Sequence, residues 1–166
     1  MRKRAAPAVR SSPQVSESDS TNQDTERTRP PRLAFRLSPD PAGLGDARER
    51  IRDYLTRHCA DCARVDAVIL CIEEAWTNAM RHSGSDQDIE VSLHFDGDDL
   101  LVCVKDRGRG FDVTAFHPDQ RPDLTAAGGR GLYIMAQLMD DLTLRSRGGV
   151  EVNMLKQSMR SRPVAG

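Results

Sequence analysis

The chain has 166 residues, with 24 lysines and arginines against 25 aspartates and glutamates, for a formal net charge of −1. That length fits one domain. Residues 1–32 carry seven basic and four acidic side chains, which leaves the remainder at net −4. A mildly acidic body argues against a nucleic-acid-binding domain driven by bulk charge. No apolar run approaches the ~18–20 residues that cross a bilayer. The basic start Met1-Arg2-Lys3-Arg4 is followed by no apolar stretch, so no secretory signal is predicted. Cys59, Cys62, Cys71 and Cys103 are read as reduced thiols, and the chain as cytoplasmic.

Residues 1–32 are rich in Ser, Thr, Pro, Gln and charge and hold no aromatic residue. Such a segment cannot bury enough apolar surface to offset its ordering entropy, so it reads as a disordered tail. The folded domain is predicted over 33–156, with residues 157–166 as a C-terminal tail. Leu33, Phe35 and Leu37 alternate with Ala34 and Arg36, a strand pattern. Prolines and glycines at 39–45 end it. Ala47, Ile51, Tyr54 and Leu55 share one helical stripe within 46–58. A second helix is predicted from about Arg64 to His82, where Val65, Val68, Ile69, Ile72, Trp76 and Ala79 recur at helical spacing and Ser83-Gly84 stops it. Ile89, Val91, Leu93 and Phe95 alternate, Gly97-Asp98 supplies a turn, and Leu100 to Val104 is continuously apolar. Residues 113–128 show no period and read as a long mobile loop. A third helix is predicted over 131–139, then strands around Leu142–Leu144 and Val150–Met154, joined at Gly148-Gly149. The fold class is α+β: a two-layer sandwich of a mixed, mostly antiparallel sheet with helices on one face.

Three motifs could carry chemistry. On the second helix Glu74 and Asn78 lie one turn apart and share a face. Ala67, Cys71 and Ala75 beside them leave room for a ligand. A carboxylate can serve as general base, and an amide oxygen one turn on can bind a hard cation such as Mg²⁺. The helix alone fits a solvated polar face just as well. The second motif is Asp106-Arg107-Gly108-Arg109-Gly110-Phe111-Asp112, directly after an apolar strand. Gly108 and Gly110 let backbone approach a ligand closely, and Asp106 can accept from an exocyclic amine. Alone, it is also an ordinary turn leaving a strand. It is neither a P-loop nor a Gly-x-Gly-x-x-Gly dinucleotide fingerprint. The third is Gly128-Gly129-Arg130-Gly131-Leu132 opening the third helix, where free N–H groups and the helix dipole favour an anion.

The order and spacing of the three resemble the GHKL (histidine kinase-like) ATPase superfamily, whose nucleotide-binding unit is the Bergerat fold. Glu74-x-x-x-Asn78 resembles its N box, Asp106-x-Gly108-x-Gly110 its first glycine box, and Gly129-x-Gly131-Leu132 its second, with an ATP lid between the glycine boxes. Within the superfamily the phrases Glu-Ala-Trp-Thr-Asn-Ala, Asp-x-Gly-x-Gly-Phe-Asp, Gly-x-Gly-Leu-x-Ile-Met and Glu-Val-x-Met-x-Lys are similar to the bacterial anti-sigma-factor serine/threonine kinases. The likeness covers nearly the whole chain from Leu33 onward.

The resemblance implies an ATP-dependent protein kinase that phosphorylates a STAS-type anti-anti-sigma protein and sequesters a sigma factor. It implies that Asn78 ligands Mg²⁺, Glu74 is the catalytic base and Asp106 reads the adenine amine. Gly108 and Gly110 would shape the purine pocket, and Gly129, Arg130, Gly131 and Leu132 would face the nucleotide. It further implies homodimers, with no direct nucleic acid and no membrane partner. One departure stands out: Val150 follows Gly149 where many relatives carry a Thr that helps bind adenine. Two other readings stay open, a nucleotide-binding module that sequesters a partner without phosphoryl transfer, and a histidine-kinase catalytic domain. The latter lacks a helical hairpin bearing a phosphorylatable histidine. Cys59-x-x-Cys62 lacks the further ligands a zinc site needs. Arg107 and Arg109 are read as exposed, and His82 as a helix-end residue within reach of phosphate.

Overall fold

The computed structural model describes residues 32–59, 61–110 and 130–160. Residues 1–31 of the expected N-terminal tail, the loop with Gly129, and residues 161–166 lie outside the described residues. Strand β1 (Leu33–Leu37) leads through a short 3-10 turn (Pro41–Gly43) into α1 (Leu44–Thr56), followed by α2 (Cys62–His82). Then come β2 (Ile89–Asp96), β3 (Asp99–Lys105), α3 (Arg130–Leu138), β4 (Asp141–Ser146) and β5 (Val150–Lys156). The strands form one sheet in the order β1-β2-β3-β5-β4. All four pairings among the described residues are antiparallel, in keeping with the mostly antiparallel sheet expected.

The register explains why one face carries the helices. Phe35, Val91, Val104, Val152 and Leu144 pair in sequence across the strands, and so do Leu33, Leu93, Val102, Met154 and Leu142. Side chains alternate along a strand, so both rows point to the same side. That side is buried beneath the helices: Leu93 is 0% exposed and Val104 is 1% exposed. The alternate rows are polar. Arg36, Glu90, Lys105, Glu151 and Arg145 form one, and Ala34, Ser92, Cys103, Asn153 and Thr143 the next. An antiparallel sheet of this kind packs one face and leaves the other to water.

The long helix α2 lies against the apolar face through Val65, Val68, Ile69, Ile72, Trp76 and Ala79, all buried, as their spacing predicts. Its start is fixed by Asp61, whose Oδ1 accepts from the N–H groups of Ala63 at 3.0 Å and Arg64 at 3.2 Å. Helix α1 packs beside it with Ala47, Ile51, Tyr54 and Leu55, the predicted stripe. It starts at Leu44, because Asp40 caps the Pro41–Gly43 turn and Gly45 is absorbed into the helix. Arg48–Glu73 and Arg52–Asp66 ion pairs tie the two helices on the outside. Exposed pairs contribute at most about 1 kcal/mol each, so the apolar contact dominates. At the end of β5, Lys156 Nζ donates to Leu138 O at 2.7 Å and so caps α3. Packing continues past β5: Met159 is 1% exposed and sits 3.9 Å from the Cys59 Sγ, sulfur to sulfur. Among the described residues no helix is long and apolar enough to cross a membrane.

Leu93 fills the centre of the buried face. Leu93→Ala is expected to cost about 2–5 kcal/mol of unfolding free energy, measured by urea titration followed by far-UV circular dichroism.

Candidate nucleotide site

Strand β3 places Val102, Val104 and then Asp106 on the core-facing side at every second residue. The periodicity that buries two valines therefore buries a carboxylate just past the strand end. Asp106 is 3% exposed. Burying a carboxylate is costly unless its lone pairs are filled. Its Oδ1 accepts from Gly108 N–H at 2.8 Å and from Val150 N–H at 3.2 Å. Its own N–H donates to Val150 O at 3.0 Å, extending the β3–β5 ladder by one residue. The second carboxylate oxygen has no hydrogen bond to a described residue, and Asp106 lines a cavity of about 350 Å³.

That cavity lies between α2, α3 and the sheet. Ala75, Asn78, Ala79 and His82 line it from α2, Leu132 from α3, and Val104 and Val152 from the strands. Its volume is in the range of small-molecule sites, and its walls are apolar with a few placed polar groups. Ala75 and Ala79, one turn apart, make the room. Cys71, a turn before Ala75, is buried and stays neutral. Burial pushes its thiol up to about 12, against a lowering by Lys156 and with a small further rise from Glu74.

Glu74 and Asn78 are half-buried on α2 because the start of α3 sits on them. A side-chain carbon on Gly131 would lie 2.7 Å from Glu74 Oε2 and 2.9 Å from Asn78 Nδ2. The second glycine motif is thus seated on the first motif, and a side chain at this position would require the ends of Glu74 and Asn78 to shift. Arg130 is the exposed first residue of α3, and Leu132 reaches the cavity wall. Gly129 lies outside the described residues.

Gly108 and Gly110 do not line the cavity. A side-chain carbon on Gly108 would overlap the Ser83 backbone, and one on Gly110 would overlap Ser146 Oγ. Gly110 also has φ of +73°, in the region glycine favours. Their close approach is to protein. The loop after Asp106 is clamped between the end of α2 and the β4–β5 turn. Ser83 O accepts from Arg109 N–H at 2.9 Å, and the Arg109 guanidinium lies over Gly84. Gly149, with φ of +126°, crosses the Asp106 carbonyl from the other side. Ser83 is buried at 5% exposure and was legible in the sequence only as a helix stop.

The departure at Val150 has a structural answer. The N–H and C=O of Val150 serve Asp106, and its side chain is one more apolar wall of the cavity. The backbone contribution of this position is independent of the missing hydroxyl. Of the residues singled out in the sequence, the structure brings Asn78, Asp106 and Leu132 onto one cavity, with Glu74 and Gly131 against Asn78. The residues that sequence reasoning missed, Ala79, Ser83, Val104 and Val152, carry no chemistry of their own.

Residues 37–156 match the family model of the histidine kinase-like ATPase domain. The chain is 33% identical over 142 residues to the serine-protein kinase RsbW of Bacillus pumilus, covering 78% of this chain and 88% of that one. It is 30% identical over 134 residues to the RsbW of Bacillus velezensis, covering 75% and 84% respectively. A solved structure of the RsbU and RsbW domains of Rv1364c from Mycobacterium tuberculosis superposes with a TM-score of 0.59 at 20% identity. That likeness covers 81% of this chain and 34% of the longer one, and it supports the fold.

Two substitutions test this geometry. Asp106→Asn keeps an acceptor for both backbone N–H groups but turns the cavity-facing position into a donor. It is expected to leave the unfolding midpoint nearly unchanged and to weaken ATP binding at least about tenfold, roughly one charge-assisted hydrogen bond, measured calorimetrically. Gly108→Ala is expected to cost about 1–3 kcal/mol of stability, because Ser83 backbone would have to move; chemical denaturation checks it.

Proposed function

Because the chain belongs to the histidine kinase-like ATPase domain family, and within it to the RsbW serine-protein kinases, we propose that it transfers the γ-phosphoryl group of ATP to a serine or threonine of a STAS-type anti-anti-sigma partner and sequesters a sigma factor. The observation that carries this reading is the seating of Gly131 on Glu74 and Asn78, beside a cavity that Asn78 and the Asp106 carboxylate both line. An acceptor for a purine amine and a base beside an amide oxygen are the groups such a transfer needs, since phosphoryl transfer is mainly positioning and charge stabilisation.

In this reading adenine enters the apolar cavity and its exocyclic amine donates to Asp106. Val104, Val150, Val152 and Leu132 exclude water from that bond, which strengthens it. The phosphates extend toward Asn78 and the start of α3, where the free N–H groups of the first turn and Arg130 meet negative charge. Gly129, beside Arg130, belongs to the same phosphate-facing set. The Asn78 amide oxygen is a hard oxygen donor that fits Mg²⁺, which when bound neutralises phosphate charge. Glu74 takes the proton of the partner's hydroxyl as its oxygen bonds to phosphorus, and ADP leaves with the cleaved β–γ bridge oxygen. Gly108 and Gly110 act one step back, by holding the loop that orients Asp106. Homodimerisation belongs to the same proposal.

The test is phosphate transfer from radiolabelled ATP to a STAS-domain partner. Glu74→Gln is expected to slow transfer by about 10²–10⁴-fold, the usual worth of a general base, while ATP affinity stays within a few-fold. Transfer at the unmodified rate in that variant would remove Glu74 from the chemistry. Gly131→Ala is expected to lower both ATP affinity and transfer, since its new methyl group displaces Glu74 and Asn78 together; calorimetry and the transfer assay read the two effects separately.

A further inference from the structure

The sheet face turned away from the helices carries a ladder of charge. Arg36, Glu90, Lys105, Glu151 and Arg145 are direct cross-strand partners, one per strand, alternating in sign across all five strands. The acids are oversubscribed. Glu90 pairs with both Arg36 at 3.0 Å and Arg107 at 2.9 Å. Glu151 pairs with both Lys105 at 3.6 Å and Arg145 at 3.8 Å. Arg147, in the β4–β5 turn, makes no ion pair among the described residues, so this strip sets five cations against two acids. The cations are well exposed: Arg145 is 71% accessible and Arg36 is 64% accessible. The excess is local, because the chain after residue 32 is net acidic.

At the β4 side of the strip the surface is concave. Lys105, Arg145, Ser146, Arg147 and Glu151 line a cavity of about 570 Å³, backed by Gly149 and Val150. Lys105 and Glu151 point to the open face, whereas their chain neighbours Asp106 and Val150 line the nucleotide cavity. The two cavities therefore adjoin along one stretch of backbone, with Val150 bordering both.

We propose that this cavity and the strip leading to it dock an acidic segment of a partner protein. Charge complementarity selects the occupant: three cations converge on a concave surface with a single acid among them, and a carboxylate-bearing chain supplies the missing charge. Nucleic acid fits less well, since no aromatic side chain lines the cavity to stack on a base. The strand β4 is the edge of the sheet, so an extended segment can lie along it. Because none of the charged residues of this cavity lines the nucleotide cavity, nucleotide and acidic segment bind together. The proposal goes beyond the kinase reading and does not depend on phosphoryl transfer.

The test is fluorescence anisotropy of a labelled oligoglutamate peptide titrated with the full chain at low salt, with and without ATP. Saturable binding is expected, falling with added salt and weakened at least about tenfold in the double variant Arg145→Glu/Arg147→Glu. Arg57→Glu, an exposed charge reversal at the end of α1, should change it less than twofold. Calorimetric ATP titration of the double variant should match the unmodified chain, which establishes that the variant is folded and separates this test from the kinase reading. Absence of saturable binding, or equal loss in Arg57→Glu, overturns the proposal. So does light scattering that finds self-association of the chain lost only in the double variant, because the face would then belong to a second copy.

Discussion

The site depends on one buried carboxylate. Asp106 stands where the β3 pattern calls for an apolar residue, and its Oδ1 is held by the Gly108 and Val150 N–H groups. Those two bonds offset desolvation, which would otherwise make a carboxylate at 3% exposure untenable. They also join three segments: the end of β3, the glycine loop and the start of β5. The loop in turn reaches the end of α2 through Ser83, and α2 carries Glu74 and Asn78. Removing the carboxylate would leave two N–H groups unpaired and release the loop that connects the parts.

Glycine acts here as a spacing device within the protein. Gly108 admits Ser83, Gly149 admits the Asp106 carbonyl, and Gly131 admits Glu74 and Asn78. At Gly108 and Gly149 a methyl group would meet backbone and force the elements apart, and at Gly131 it would push the ends of Glu74 and Asn78 aside. The nucleotide cavity is what remains between elements drawn together in this way. It explains why Val150 is tolerated: the position contributes through its backbone, and the side chain only has to complete an apolar wall.

Much of the fold was legible in the sequence. Period-two runs marked β1 and β2, helical spacing marked the buried faces of α1 and α2, and Ser83-Gly84 marked the end of α2. The start of α2 lies at Cys62, ahead of the expected Arg64, because Asp61 caps it. The Glu74–Asn78 spacing gave a shared face directly. What escaped was tertiary. The start of α1 moved by two residues because the Asp40-capped turn and the tolerance of Gly45 are local choices that packing decides. The partners of Gly108 and Gly110 depend on which elements become neighbours, so a sequence pattern suggests a ligand where the structure has Ser83 and Ser146. The charge ladder depends on strand order. With β5 inserted between β3 and β4, Glu151 comes to lie between Lys105 and Arg145, which no linear reading of the chain displays.

The central claim is that Asp106 accepts a hydrogen bond from a purine amine inside a dry cavity. Calorimetric titration of the full chain with ATP and with inosine triphosphate tests it most directly, because the two ligands differ in replacing the exocyclic amine by a carbonyl oxygen. That oxygen would face the carboxylate, leaving both acceptors unpaired at a cost of about 1–3 kcal/mol or more. The account predicts that ATP binds at least about tenfold more tightly. Equal affinity for the two nucleotides would contradict it.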